Sequence, residues 1–291
     1  MNAAALFKKY LFFAKKFRLQ ILFALLVLLY FAASPKNEKF FERAFLTSMS
    51  EADKIEMSEP GRGSLSLSKC GSFWLGEFSS EEGESQPLVF CCDKSLVEKL
   101  LYNLQRKNRL YEISGSKDAK SAYGLRQDCA FSLKIRRKSE VILSLNFGSV
   151  DSKKRIFICV DNDTKILSTD STAFAPYLAL DANFWAAPEI FPKDIVGAEK
   201  KYRHGKLAVL DGRPLKADDF DWTGAAEKDF DPGDGNFYRA YFLQRTDGDY
   251  CFRFEALPSA QRPSEEKAAL KKINAVFLVS AWTFEKVFEE D

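Results

Sequence analysis

"FSLKIRRKSEVILSLNFG", residues 131–148, is the stretch whose reading decides the fold. Phe131, Leu133 and Ile135 alternate with polar residues, and Val141, Leu143, Leu145 and Phe147 resume the alternation after a charged interruption. A period of two puts these apolar side chains on one face of an extended chain, which predicts a β-hairpin with one buried face. The cluster Arg136-Arg137-Lys138 falls at the tip and reads as a solvated turn.

The same grammar recurs outward from this hairpin. "DKIEMS" (53–58) is a short strand, and "GRGS" (61–64) is a turn without the lysine and spacing of a phosphate loop. "LSLSKCGSFWLGEF" (65–78) alternates on both sides of Gly71 and predicts a hairpin. "RIFICVDNDTKILST" (155–169) predicts another, turning at Asp161 to Asp163, and Ile156 to Val160 is apolar on both faces, as in a central strand. "KLAVLDGRPL" (206–215) opens a second region, in which "FYRAYFLQRTDGDYCFRFEAL" (237–257) turns at Asp247-Gly248. "DPGDGN" (231–236) reads as a turn, since it lacks the alternating ligands and distal glutamate of a calcium loop.

Three stretches carry helical signals. "SLVEKLLYNLQRKNRL" (95–110) opens on Ser95 with Glu98 as a capping box and carries Leu96, Val97, Leu100, Leu101 and Leu104 as one apolar stripe. "STAFAPYLALDANFW" (171–185) reads as helical around Pro176, and "PSEEKAALKKINAVF" (263–277) as a helix capped by Ser264. Two segments echo each other: Leu65, Leu67, Lys69, Gly71 and Phe73 before the 95–110 helix, and Tyr241, Leu243, Arg245, Gly248 and Tyr250 before the 264–277 helix. "LYEIS" (110–114) and "TFEKV" (283–287) follow the two helices, so the echo is read as a duplicated hairpin–helix unit.

The N-terminal "RLQILFALLVLLYFAASPKNE" (18–38) is uncharged from Leu19 to Ala33. Fifteen helical residues span roughly 22 Å, against ~30 Å of hydrocarbon. The flanks favour a retained anchor over a cleaved signal, because Lys15, Lys16 and Arg18 can snorkel and Pro35 directly follows the only small-residue cleavage candidate. The anchor residues expected to face lipid are Leu19, Ile21, Leu22, Phe23, Leu25, Leu26, Val27, Leu28, Leu29 and Phe31. Lysine and arginine are denser before the run than after it, which predicts a single pass through a bacterial inner membrane with an extracytoplasmic, periplasmic body.

The expected class is therefore α+β: an N-terminal transmembrane helix, then largely antiparallel sheets with packed helices. The expected division is a basic tip and anchor (1–34), a stalk (35–50), and two α+β modules (51–195 and 196–291). A net charge of +2 over 291 residues argues against a nucleic-acid partner. The six cysteines show no CxxC, Cys91-Cys92 are adjacent, and His204 is the only histidine, so neither a metal nor another cofactor is expected. Carboxylate pairs such as Asp218-Asp219 read as solvated loop residues and His204 lacks a visible partner, so no enzyme activity is expected.

The order of "KIEM", "GSFWLGEF" with its Trp74, "LVEKLLYNL", "YGL" (123–125), "FSLKI", "LNFG" (145–148), "RIFICV" and "DST" (170–172) is similar to a bacterial domain-of-unknown-function family, numbered four-three-four-zero. The resemblance covers about residues 50 to 195. A proline often found after YGL is replaced by the region of Asp128 and Cys129. It implies a membrane-anchored companion of gliding-motility-type ABC transporters, with the bilayer and a permease or other transporter subunits as partners. The alternative is an extracytoplasmic binding module for a small molecule, glycan or envelope polymer, with Trp74, Trp185 and Trp222 as candidate ligand contacts.

Overall fold

The computed structural model describes residues 20, 22–27, 39–80, 86–115, 117–161, 163–190, 204–210, 212–230, 237–257 and 261–289. The chain divides into two compact units, Met1–Phe40 and Phe41–Asp291.

The class is largely β, which corrects the α+β expectation. Ten strands form one sheet: β1 (Phe40–Arg43), β2 (Lys54–Glu59), β3 (Gly63–Cys70), β4 (Phe73–Ser79), β5 (Leu88–Cys91), β6 (Asn108–Ser114), β7 (Phe131–Arg137), β8 (Glu140–Val150), β9 (Arg155–Val160) and β10 (Ile166–Asp170). Their order is β1-β6-β10-β9-β8-β7-β2-β3-β4-β5. A two-stranded ribbon, β11 (Val209–Leu210) with β12 (Arg213–Pro214), precedes a four-stranded antiparallel sheet of β13 (Ala226–Phe230), β14 (Tyr238–Gln244), β15 (Tyr250–Ala256) and β16 (Phe277–Val279). The α-helices labelled here are short: α1 (Lys94–Gln105), α2 (Ala182–Trp185), α3 (Ser264–Leu270) and α4 (Ala281–Glu289).

Alternation built this sheet as its period requires. Leu67, Ile55, Ile135 and Leu143 stand in register across β3, β2, β7 and β8, and Leu65, Met57, Leu133 and Leu145 form the next such row. All eight are buried. Cross-strand apolar neighbours of this kind are the unit of sheet stabilisation, and a one-residue slip would turn every one of them to the opposite face. The chain leaves the β5 edge through α1 and returns as β6, between β1 and β10 near the opposite edge. Val97, Leu100, Leu101 and Leu104 of α1 join the same hydrophobic core as these rows.

Other expectations shift in detail. Asp93, not Ser95, caps α1: its carboxylate accepts from Ser95 N–H at 2.8 Å. Residues 171–185 hold two 3₁₀ turns, at Ser171–Ala173 and Ala175–Tyr177, before α2. The helix expected over 264–277 stops at Leu270, because Asn274 and Ala275 donate their N–H groups to Val89 O and Phe277 to Val279 pair with β15. Tertiary pairing overrides local periodicity here. The duplication is corrected as well. β5 intervenes between hairpin and helix in the first unit only, and "TFEKV" lies on α4 whereas "LYEIS" lies on β6. The 231–236 turn lies outside the described residues.

The membrane span and the single-pass inner-membrane placement are corrected too: among the described residues no helix is long and apolar enough to cross a membrane. Residue 20 and residues 22–27 are helical, and the apolar run is shorter than the hydrocarbon thickness. Of the anchor residues, Leu22, Phe23, Leu25 and Leu26 are exposed and Val27 is half-buried, while Leu19, Ile21, Leu28, Leu29 and Phe31 lie outside the described residues.

Candidate functional site

The outer edge of β5 is where the small sheet meets the large one. Val89 donates its N–H to Asn274 Oδ1 at 2.7 Å, and Val89 O accepts from the N–H groups of Asn274 and Ala275, each at 3.1 Å. Asn274 Nδ2 donates to Pro87 O at 3.1 Å. One asparagine thus satisfies an edge that would otherwise present unpaired groups. A second tie joins α3 to the β3–β4 turn. Ser72 N–H donates to Glu266 Oε1 at 3.1 Å, Arg262 Nη1 pairs with Glu266 Oε2 at 2.6 Å, and Arg262 Nε donates to Tyr238 OH at 2.7 Å. The Arg262–Glu266 pair is nine-tenths buried.

Beside the Asn274 tie opens a groove of about 730 Å³, the junction groove, with Pro87, Val89 and Asn274 in its lining. Its walls carry three carboxylates, Glu77, Asp218 and Glu255, and three cations, Arg253, Lys271 and Lys272. Arg253 stands opposite Tyr241 in the β14–β15 register. Its guanidinium carbon lies 4.3 Å from the Tyr241 ring centre and 4.9 Å from that of Trp222. Arg253 Nη1 is 3.6 Å from Glu255 Oε2, and Tyr241 OH donates to Glu255 Oε1 at 2.5 Å. Burial and that carboxylate both push the Tyr241 hydroxyl above its ordinary value, so it remains a donor. Arg253 Nε is buried and has no hydrogen-bond partner among the described residues. A buried donor without a partner costs about 1–3 kcal/mol.

The candidate residues from the sequence scatter. Trp74 and Trp185 are core residues, 4% and 0% exposed, and Trp185 Nε1 donates to Ala179 O at 2.8 Å. Trp222 is half-buried against Arg253, with Nε1 donating to Ala217 O at 2.8 Å. Asp218 reaches the junction groove, whereas Asp219 accepts from Lys216 N–H at 2.7 Å, which holds its carboxyl below the usual range. His204 stacks on Phe277 with ring centres 3.8 Å apart, and its nitrogens lie 2.6 Å from Ala187 O and 2.8 Å from Gly205 O. Burial depresses its pKa, and the carbonyls beside its two nitrogens oppose that shift. Cys70, Cys91, Cys92, Cys159 and Cys251 are buried free thiols and Cys129 is an exposed one. Burial pushes the Cys70, Cys91 and Cys92 thiols up, away from the reactive thiolate. The described residues include no cluster of three or more His, Cys, Asp or Glu side chains placed to hold a metal ion.

The sequence missed Arg253, Glu255, Lys271 and Lys272. A signal for one contact was present: the tight turn at Asp247-Gly248 fixes the hairpin register, and that register sets Arg253 opposite Tyr241. No family model, curated protein or solved structure matches this chain.

Proposed function

We propose that the chain is a binding module rather than a catalyst, and that the junction groove takes a polar small molecule with both an anionic and a cationic end, such as a free amino acid or a dipeptide. The observation that carries this reading is the wall of mixed charge, three carboxylates and three cations, around one groove. Glu77, Asp218, Lys271 and Lys272 make no ion pair with one another or with other described residues, so both signs remain open to a ligand. The volume lies within the ~300–1,000 Å³ usual for small-molecule sites. Arg253 would take a carboxylate, for which its planar fork is suited, and the opposing carboxylates would take an ammonium group. Isothermal titration of the full chain with a panel of amino acids and dipeptides tests the reading. Saturable binding that weakens about tenfold in Arg253→Lys, which keeps the charge and loses the fork, supports it. Heat signals indifferent to that substitution, or no binding across the panel, would overturn it.

A second proposal, companionship with an ABC transporter, rests on the resemblance over residues 50–195. The feature that would serve a partner is Trp282 on α4, which is 65% exposed. Crosslinking from that position to a permease tests it, and an uncrosslinked chain in cells that express the permease would count against it.

A further inference from the structure

A second groove, of about 600 Å³, opens where the C-terminal end of α1 meets the first residues of β6, the turn before β9 and the end of β10. Six cations line it: Arg106, Lys107, Arg109, Lys153, Lys154 and Arg155. Asp170 is the one carboxylate in its lining among the described residues. The whole chain carries a net charge of only +2, so an excess of five in one groove is a local concentration rather than a general bias.

Nearby carboxylates answer part of this charge. Arg155 Nε pairs with Asp151 Oδ2 at 3.1 Å and lies over the Tyr111 ring, 5.1 Å from its centre. Arg109 Nε is 3.8 Å from Glu42 Oε1, an exposed and long pair worth little. Asp170 is committed to capping, accepting from Thr172 N–H at 2.9 Å and Thr172 Oγ1 at 2.8 Å. Arg106, Lys107 and Lys154 have no ion pair among the described residues.

A structural role explains only some of these cations. Arg106 and Lys107 follow the last turn of α1, where positive charge suits the helix dipole. That does not account for Lys154, which arrives from a turn nearly fifty residues later and lines the same groove. Lys154 holds φ at 58°, a left-handed conformation that glycine or asparagine adopts at lower cost. Like charges gathered this closely repel one another, and an anion in the groove would relieve the repulsion.

We propose that this groove binds a small molecule carrying a phosphate or pyrophosphate group. A single carboxylate would leave most of the excess unanswered. An extended polyanion would overrun a cavity of this size, which lies within the range of small-molecule sites. Lys107 and Lys154 supply point charges from opposite sides of the sequence, and Arg106 supplies a planar fork for two phosphate oxygens. This proposal is independent of the junction groove, with which it shares no lining residue.

The test is isothermal titration of the full chain with inorganic pyrophosphate in a phosphate-free buffer, at low salt and at about 150 mM salt. The variants are Lys107→Ala, Lys154→Gly and their combination. Lys154→Gly removes the cation while relaxing the backbone, so lost binding in that variant is not lost folding; circular dichroism of each variant verifies this. The expected result is saturable binding of one pyrophosphate per chain, weakened about tenfold in the double variant. Absence of saturable binding to the native chain, or equal affinity in all variants, would overturn the proposal. So would a single-stranded oligonucleotide that binds at the higher salt while pyrophosphate does not, since that marks a nucleic-acid surface instead.

Discussion

Gly71 shows how one residue holds two parts of this protein together. It turns the β3–β4 hairpin at φ 60°, and a Cβ there would sit 1.8 Å from Glu266 Oε1. Gly71→Ala therefore displaces the carboxylate that accepts from Ser72 N–H and pairs with Arg262, and adds left-handed strain. A loss of more than about 1 kcal/mol is expected, read as a lower urea midpoint. Glu266→Gln keeps the shape but leaves Arg262 without its counter-charge in a buried site, and about 3–5 kcal/mol is expected to go. His204 sets a pH dependence. Its folded pKa lies below its ordinary value of about 6.5, with burial as the main cause. Below that value the unfolded chain binds the proton more readily than the folded one, so stability is full above about pH 6.5 and falls as pH drops toward the folded pKa. Urea midpoints at about pH 7.5 and pH 5.5 should differ more in the native chain than in His204→Phe, which keeps the stacking on Phe277 and does not titrate. Equal differences would assign the slope to other groups.

The β7–β8 hairpin is stable by its apolar rows and strained at its tip. Lys138 holds φ at 53° there, and its N–H donates to Asp53 Oδ2 at 2.9 Å. Lys138→Gly keeps that backbone donor and removes the left-handed penalty, so a gain of about 0.5–1 kcal/mol is expected in thermal melts. A loss would mean that the lysine side chain contributes more than its backbone costs. β5 depends on a side chain from far along the chain. Asn274→Ala removes the acceptor of Val89 N–H and the donor to Pro87 O, and should cost about 1–3 kcal/mol. Amide exchange at Val89 should accelerate more than at Leu133, whose strand sits inside the sheet.

For the whole molecule, the sequence showed the hairpins and hid their assembly. The alternations at 131–147 and 65–78 mark strands because a period of two is a local property, and the strand order could not be read because pairing β2 with β7 joins residues about eighty apart. The helical pattern at 264–277 misled for the same reason: nothing near Asn274 reveals that Val89 will take its amide. A tryptophan's residue type does not reveal its burial: Trp74 and Trp185 fill the core, and only Trp222 of the three candidates stands partly open. Both grooves were illegible because their charges come from separate segments, with "QRKNR" meeting "SKKR" in one and "LKKIN" meeting "CFRFE" in the other. Local pattern gives faces, and only tertiary pairing gives sites.

The small sheet and the large one share one core, so that the junction groove is preformed. Phe242, Phe252 and Val279 of the small sheet belong to the same hydrophobic core as Ile55, Leu133 and Leu145 of the large one. Native-state hydrogen exchange of the full chain across a urea series measures this most directly. Amides of β14 and β15 should exchange with the same free energy and urea dependence as those of β2 and β7, through one cooperative opening. A lower free energy for β14 and β15 alone would mean that the small sheet opens by itself, and the junction groove would not be a standing feature of the protein.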